Sequence, residues 1–148
     1  MPFCTVAGPY SQHMRIGLET ERIIWQYMEN ESRIQYIKME ENLGISGNSN
    51  RALQAAKGAY VALLDHDDVL TEDALYWVVD ALQRERYDVV YSDEDRMAEN
   101  GSHYLEPRFK PEFDIDLLRA YNYISHLFVA RRELMLADGG FHSQYDGA

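Results

Sequence analysis

The sequence is poor in cysteine and in basic residues, and it has no long apolar run. Cys4 is the only cysteine in 148 residues, so no disulfide can form within the chain, and a reducing cytoplasm is the expected compartment. No run of 18 apolar residues occurs, and the N-terminus lacks the basic start and apolar stretch of a secretion signal. The expected location is the cytoplasm, or a peripheral position at the inner face of the membrane.

The scarcity of basic residues limits the kinds of partner that the chain is expected to bind. Fourteen Lys and Arg stand against 25 Asp and Glu, for a formal net charge of −11. Nucleic acid is not an expected partner, because binding without sequence preference needs a basic face. An anionic substrate stays open, since a divalent cation can reverse the local field. With 46% hydrophobic and 26% charged residues, the composition is that of a folded globular domain.

The pattern of apolar residues predicts strands that alternate with helices. Helices are expected from Thr20, over 49–57, from Thr71 to Leu82, and over 115–121 and 132–137, and strands over 33–38, 59–64, 87–91 and 127–130. Residues 1–16 carry weak signals, and 103–114 are expected to be irregular. Such alternation with short loops predicts one α/β domain over 1–148, with helices packed on a sheet.

Acidic residues follow two of the predicted strands directly. Asp65, Asp67 and Asp68 come after the apolar run 59–64, and the segment 92–95 (Ser-Asp-Glu-Asp) comes after 87–91. Two unit charges at ~4 Å repel by roughly 4 kcal/mol at an effective dielectric near 20, so buried carboxylates need protonation, a basic partner or a cation. A metal–diphosphate site and a solvated loop both explain the first cluster, and charge and spacing alone favour the loop. If the two strands are parallel, both clusters lie at one sheet edge, where ligands bind in open α/β sheets.

The histidines and aromatic residues give weaker indications. His66 stands among acids but has no Cys or His partner at zinc-ligand spacing. His126 is interpreted as a strand-end residue rather than a ligand, and Cys4 as an ordinary thiol. The aromatic pair Tyr121 and Tyr123 is expected to pack against the sheet.

An ordered series of motifs resembles family 2 glycosyltransferases over residues 34–148. The matching segments are 42–53 (NLGISGNSNRAL), 56–60 (AKGAY), 63–68 (LLDHDD), 91–95 (YSDED), 109–113 (FKPEF), 122–124 (NYI), 139–141 (GGF) and 146–148 (DGA). One acid-x-acid motif carries almost no information, whereas this order of motifs is specific. The resemblance reverses the preference for the solvated loop. Residues 1–33 match only weakly.

The resemblance implies a GT-A fold, a Rossmann-like sheet that binds a nucleotide-sugar. Asp65 would then contact the ribose or the metal region, and Asp67 would be the main ligand of a Mn²⁺ or Mg²⁺ ion. Asp68 would support the loop. A cation there offsets the charge that builds up on the leaving nucleoside diphosphate.

The resemblance also implies a donor-binding set beyond the metal region. Asp93 and Asp95 would line the side of the donor sugar and the acceptor. Asn42, Gly44 and Asn50 would shape the loop beside the nucleoside, with Gly44 allowing a close approach of the backbone.

The chain departs from the family pattern at both ends. The usual first strand, with its Ile-Pro-x-Tyr-Asn motif, is not found before Thr20, and the family's general base is expected beyond Ala148, so that Asp146 is not assigned to that role. A partial domain is therefore expected, with an open sheet edge that favours homo-oligomers.

Three functions are consistent with this sequence. The first is metal-dependent, inverting transfer of a sugar from a nucleoside-diphosphate sugar to a glycan or lipid acceptor. The alternative is a catalytically inactive GT-A-like module that acts in binding or oligomerisation. The third is a metal-dependent nucleotidyltransferase, which would use the same kind of α/β sheet. It is not favoured, because no Gly-rich, basic phosphate loop is found near the start of the sequence.

Overall fold

A computed structural model describes residues 4–6, 18–39, 41–65, 67–98 and 100–146. The helices are α1 Leu18–Asn30, α2 Gly44–Ala55, α3 Ala74–Arg84, α4 Ile115–Ala120 and α5 Arg132–Ala137, followed by a 3-10 turn at Ser143–Tyr145. The strands are β1 Cys4–Val6, β2 Tyr60–Leu63, β3 Val89–Tyr91, β4 Glu94–Met97, β5 Tyr104–Arg108 and β6 Phe128–Arg131. In these described ranges, no helix is long and apolar enough to cross a membrane.

The main sheet is mixed, with the strand order β1-β2-β6-β3. Strand β1 pairs in parallel with β2, and β6 lies antiparallel between β2 and β3. Because β2 and β3 both run opposite to β6, they point in the same direction. Leu63 at the end of β2 and Tyr91 at the end of β3 both pair with Phe128, so the two strands end level with each other.

The core lies on both faces of the sheet. Val61 and Ala62 are consecutive residues of β2 and are both buried, and successive side chains of a strand point to opposite faces. Ala62 packs in a cluster with Val78 and Leu82 of α3, while Val61 packs with Leu53 of α2. The helices therefore cover the two faces, as the uninterrupted apolar run 59–64 predicted.

Most of the predicted elements are confirmed, and the strand predicted over 33–38 is wrong. Strands at 60–63, 89–91 and 128–131 and the helices beginning near 18, 74, 115 and 132 agree with the sequence analysis. Residues 33–38 form no ladder and instead contact α1, where the Tyr36 ring meets Trp25 edge-on at 6.0 Å and Lys38 pairs with Glu21 at 2.9 Å. Alternation of polar and apolar residues suits a strand but does not supply a partner strand.

Three further strands lie where the sequence predicted none. Strand β1 falls within the weakly patterned residues 1–16 and covers the edge of β2 that was expected to be open. Strands β4 and β5 form an antiparallel hairpin inside the segment expected to be loop and irregular chain. The outer strands of the described sheet are therefore β1 and β3, and association through a sheet edge stays a prediction. His66 and the side chain of Cys4 lie outside the described residues.

Candidate metal and donor site

The two acidic clusters lie at the same end of the sheet, just beyond the carboxyl ends of β2 and β3. Asp65 follows the end of β2 by two residues, Ser92 follows the end of β3 directly, and His126 precedes β6 by two residues. Since β2 and β3 run in the same direction and end level, both clusters lie at their carboxyl ends, as expected for a ligand site. The insertion of antiparallel β6 adds the residues before that strand to the same edge.

Asp65, Asp68 and His126 form a compact group of potential metal ligands. A turn in which the Asp68 N–H donates to the Asp65 carbonyl at 3.2 Å brings the two aspartates together. One ligand atom from each of the three residues lies within 4.8 Å of the others, and His126 Nδ1 is 3.1 Å from Asp68 Oδ2. The group includes Asp68, to which a supporting role was given, and His126, which was not expected to be a ligand. Asp67 is not a member of it.

The second acidic cluster is partly engaged by other groups of the chain. Asp93 accepts a hydrogen bond of 2.7 Å from the backbone N–H of Lys110. Glu94 pairs with Lys110 at 3.0 Å and with Arg108 at 3.3 Å. Asp95 is exposed at an irregularity of the β4–β5 pairing. The cluster thus lies at the expected edge, but cations of the chain already neutralise part of its charge.

Glu94 is a partly buried carboxyl whose pKa is lowered by its partners. Burial raises the pKa of Glu94, but the hydrogen bond and charge of Lys110, with help from His126 and Arg108, lower it further, so the net pKa is below the ordinary 4.5. A carboxyl with a depressed pKa stabilises the fold above its unfolded pKa, and that contribution is lost as the pH falls through the folded pKa.

We expect Glu94→Gln to lower the free energy of unfolding at pH 7 by about 1–3 kcal/mol, because Lys110 loses a charged partner. The difference from the unaltered chain should shrink as the pH falls from about 4.5, where Glu94 is protonated in the unfolded chain, down through its lower pKa in the folded chain. Urea denaturation at pH 7, 5 and 3 measures this. Glu106→Gln is the control, because its pair with Arg96 is exposed. A difference that stays constant with pH would contradict the assignment.

The loop before α2 is organised by the side chain of Asn42. Its Oδ1 accepts hydrogen bonds from the Gly44 N–H at 3.0 Å and from Asn48 Nδ2 at 3.2 Å. A side chain in place of a hydrogen on Gly44 would lie 3.1 Å from Asp146 Oδ2, so the residue permits a close approach of Asp146. Asn42 thus organises the start of α2. The helix begins at Gly44 and not near residue 49, so Gly44 and Asn50, which were predicted to shape a loop, both lie within α2.

Asn50 and Ser46 attach α2 to the C-terminal part of the chain. The Asn50 amide donates to the Phe141 carbonyl at 2.8 Å and accepts from the Phe141 N–H at 2.7 Å. The Ser46 hydroxyl and backbone N–H both donate to Asp146. Asn50 thus holds a turn of the protein, and the carboxylate of Asp146 is occupied by α2.

The structure brings some of the predicted site residues together and separates others. Asp65 joins a potential ligand group, and Asp93 lies at the same edge. The Asn50 side chain bonds Phe141 and is not directed toward the carboxyl ends of β2 and β3, where the acidic residues lie. The sequence analysis missed His126 as a group member, and the only signal for it was its position just before a strand.

Comparison with known protein families identifies the family to which this domain belongs. The family model for glycosyl transferase family 2 matches residues 18–136. The chain belongs to this family. Membership in glycosyl transferase family 2 implies the GT-A fold, and the small α/β domain described above agrees with it.

Individual relatives support the same conclusion. The chain is 39% identical over 131 residues to the uncharacterized protein y4gI of Sinorhizobium fredii, covering 88% of this chain and 14% of that protein. It is 34% identical over 128 residues to the O-antigen biosynthesis protein RfbC of Myxococcus xanthus, covering 86% and 10%. It is 34% identical over 113 residues to the uncharacterized glycosyltransferase MJ1057 of Methanocaldococcus jannaschii, covering 75% and 38%. The family 2 chain thus spans well under half the length of these relatives.

Proposed function

We propose that this chain forms the donor-binding part of a glycosyltransferase that uses a nucleoside-diphosphate sugar and a divalent cation. The observation that carries the proposal is the group of Asp65, Asp68 and His126 at the carboxyl edge of β2 in a family 2 domain. The sugar would be transferred, with inversion, to a glycan or lipid acceptor.

The chemistry of the ligand group fits a transition-metal dication better than Mg²⁺. Two carboxylates and one imidazole offer both oxygen and nitrogen, whereas Mg²⁺ prefers oxygen ligands in a strict octahedron. The family resemblance implies Mn²⁺ or Mg²⁺, and of these two the imidazole favours Mn²⁺, which is our preferred cation. The geometry supports Asp65, Asp68 and His126 as the protein's ligands, and the role of Asp67 stays a prediction from the family resemblance. A bound cation would offset the negative charge that develops on the leaving nucleoside diphosphate.

The residues around the cation would bind and orient the donor. In this proposal the loop shaped by Asn42 and Gly44 lies beside the nucleoside, and Asp93 and Asp95 line the side of the sugar. Asn50 contributes through the turn that it holds at Phe141. Asp146 is bonded to Ser46 and is not proposed as the general base.

The proposed acceptor follows from a relative, and the expected location follows from the composition. The relative RfbC is an O-antigen biosynthesis protein, which favours a growing polysaccharide as the acceptor. The cytoplasmic location expected from the single cysteine stays a prediction.

Calorimetric titration tests the proposal. We expect a nucleoside diphosphate, tried as UDP, GDP, CDP and dTDP in turn, to bind in the presence of Mn²⁺ and not in its absence. Asp65→Asn should abolish this binding, because it removes a charged ligand from the group. Asp116→Asn is the matched control, since that carboxylate is exposed on α4, where it pairs with Arg119.

Three outcomes would contradict the proposal. Nucleotide binding that is equally strong without Mn²⁺, or unchanged in Asp65→Asn, would show that a cation held by Asp65 takes no part in that binding. No binding of any nucleotide by the unaltered chain would favour the alternative of an inactive module in binding or oligomerisation.

A further inference from the structure

Lys110 is a buried cation whose ammonium contacts the edge of the candidate metal site. Its side chain is 6% exposed, and Nζ donates to Glu94 Oε2 at 3.0 Å. The same ammonium donates to the backbone carbonyl of His126. The backbone N–H of Lys110 is bonded to Asp93. One residue thus joins the segments that follow β3 and precede β6.

Charge pairing with Glu94 does not by itself explain why Lys110 is buried. Arg108 pairs with the same carboxylate at 3.3 Å and does so from the surface, with 57% of its side chain exposed. A buried ammonium is costly unless its donors are used, and an uncharged carbonyl takes one of them here. The contact with His126 is therefore the feature that distinguishes Lys110 from Arg108.

The backbone around His126 is held at two points. The Leu127 N–H donates to Ser92 Oγ at 3.1 Å, and the Ser92 N–H donates to the Leu127 carbonyl at 3.3 Å. The ammonium of Lys110 holds the carbonyl of the preceding residue. Side-chain direction follows from the backbone, so these anchors place the His126 imidazole 3.1 Å from Asp68.

The segment that carries Lys110 is itself anchored to the sheet. The hydroxyl of Tyr91, the last residue of β3, donates to the Pro111 carbonyl at 2.7 Å. Lys110 is thus fixed between this bond and its own N–H bond to Asp93. A long, flexible side chain mounted on an anchored backbone can hold a partner at a defined distance.

We propose that Lys110 is a positioning residue, which holds the backbone of His126 so that its imidazole stands with Asp65 and Asp68 to receive the cation. The inference rests on the metal site of the proposed function. It assigns no contact between Lys110 and the substrate. Residues that orient metal ligands lower metal affinity by about 10–100-fold when they are replaced.

The test compares Lys110→Met with Arg108→Met in the full chain. Both changes remove one cation from Glu94, but only the first removes the contact with His126. Mn²⁺ affinity is measured by electron paramagnetic resonance of the free ion. Amide exchange at Leu127, relative to the interior amides of β6, is measured without metal. We expect Lys110→Met to weaken Mn²⁺ binding about tenfold and to speed exchange at Leu127, and Arg108→Met to do neither.

A double variant separates positioning from charge balance. Lys110→Met with Glu94→Gln removes one positive and one negative charge together, so the local charge balance is kept. We expect Mn²⁺ affinity to stay low and Leu127 exchange to stay fast in this variant. If the double variant recovered both Mn²⁺ affinity and slow exchange at Leu127, the inference would be overturned. Unchanged exchange at Leu127 in Lys110→Met would overturn it as well. If the unaltered chain binds no Mn²⁺, the proposed function fails, and exchange at Leu127 alone then decides whether Lys110 holds this backbone.

Discussion

Replacing Gly140 with alanine is expected to lower the free energy of unfolding by about 3 kcal/mol. Gly140 has φ of +81°, a region that alanine adopts only with strain of about 1–2 kcal/mol. The new Cβ would also overlap Asn50 Oδ1, which accepts the hydrogen bond from the Phe141 N–H. Displacing Asn50 leaves partly buried backbone groups without partners, at about 1–3 kcal/mol. Urea denaturation followed by circular dichroism measures the change.

Gly101→Ala is the matched control for this prediction. Gly101 has φ of +68°, but an added Cβ there would meet no atom of the described residues within 4 Å, so only the backbone strain remains. A double-mutant cycle with Asn50→Ala adds a second check. Once the Asn50 side chain is gone, Gly140→Ala should be less damaging than in the unaltered chain. If Gly140→Ala and Gly101→Ala lower the free energy of unfolding equally, the hydrogen bonds between Asn50 and Phe141 contribute nothing measurable to stability.

Replacing His126 with glutamine is expected to weaken Mn²⁺ binding at least about tenfold, or about 1.4 kcal/mol, and to change Mg²⁺ binding little. The change exchanges an imidazole nitrogen for an amide oxygen beside Asp65 and Asp68. Nitrogen ligands suit transition metals, whereas Mg²⁺ prefers oxygen. The preference for Mn²⁺ over Mg²⁺ should therefore narrow. Titration of Mn²⁺ by electron paramagnetic resonance, with Mg²⁺ as a competitor, gives both affinities.

His142→Gln is the control for His126→Gln. His142 also stands near an aspartate, with Nε2 at 3.7 Å from Asp138, but it does not belong to the ligand group among the described residues. Its replacement should leave both affinities unchanged. If His126→Gln binds both ions as the unaltered chain does, the imidazole is not a ligand, and the cation is held by carboxylates alone.

The predicted elements that were confirmed depend on patterns within a few residues. The apolar run 59–64 predicted β2 because a strand covered on both faces needs apolar side chains at successive positions. The helix at 74–84 was recognisable from the spacing of Val78 and Leu82, which pack on the sheet. The strand over 33–38 was wrong although it had the right alternation, because Tyr36 and Lys38 found partners on α1.

The hairpin of β4 and β5 was missed because its sequence does not carry the signal of a strand. Its residues are mostly exposed and charged, and Pro107 lies inside β5, where a proline normally argues against a strand. The pairing of Glu94 with Arg108 joins residues 14 apart, and nothing local marks it. Surface hairpins need no apolar alternation, so composition cannot distinguish them from loops.

The sequence by itself determined the α/β class, the family and the placement of acidic residues after the strands β2 and β3. These features follow from short-range periodicity and from an ordered series of motifs. Only the tertiary structure decided that His126 joins Asp65 and Asp68, and that Lys110 reaches the His126 carbonyl. Both contacts exist because β6 inserts antiparallel between β2 and β3 in a particular register. Register depends on the pairing of distant strands, and local patterns do not specify it.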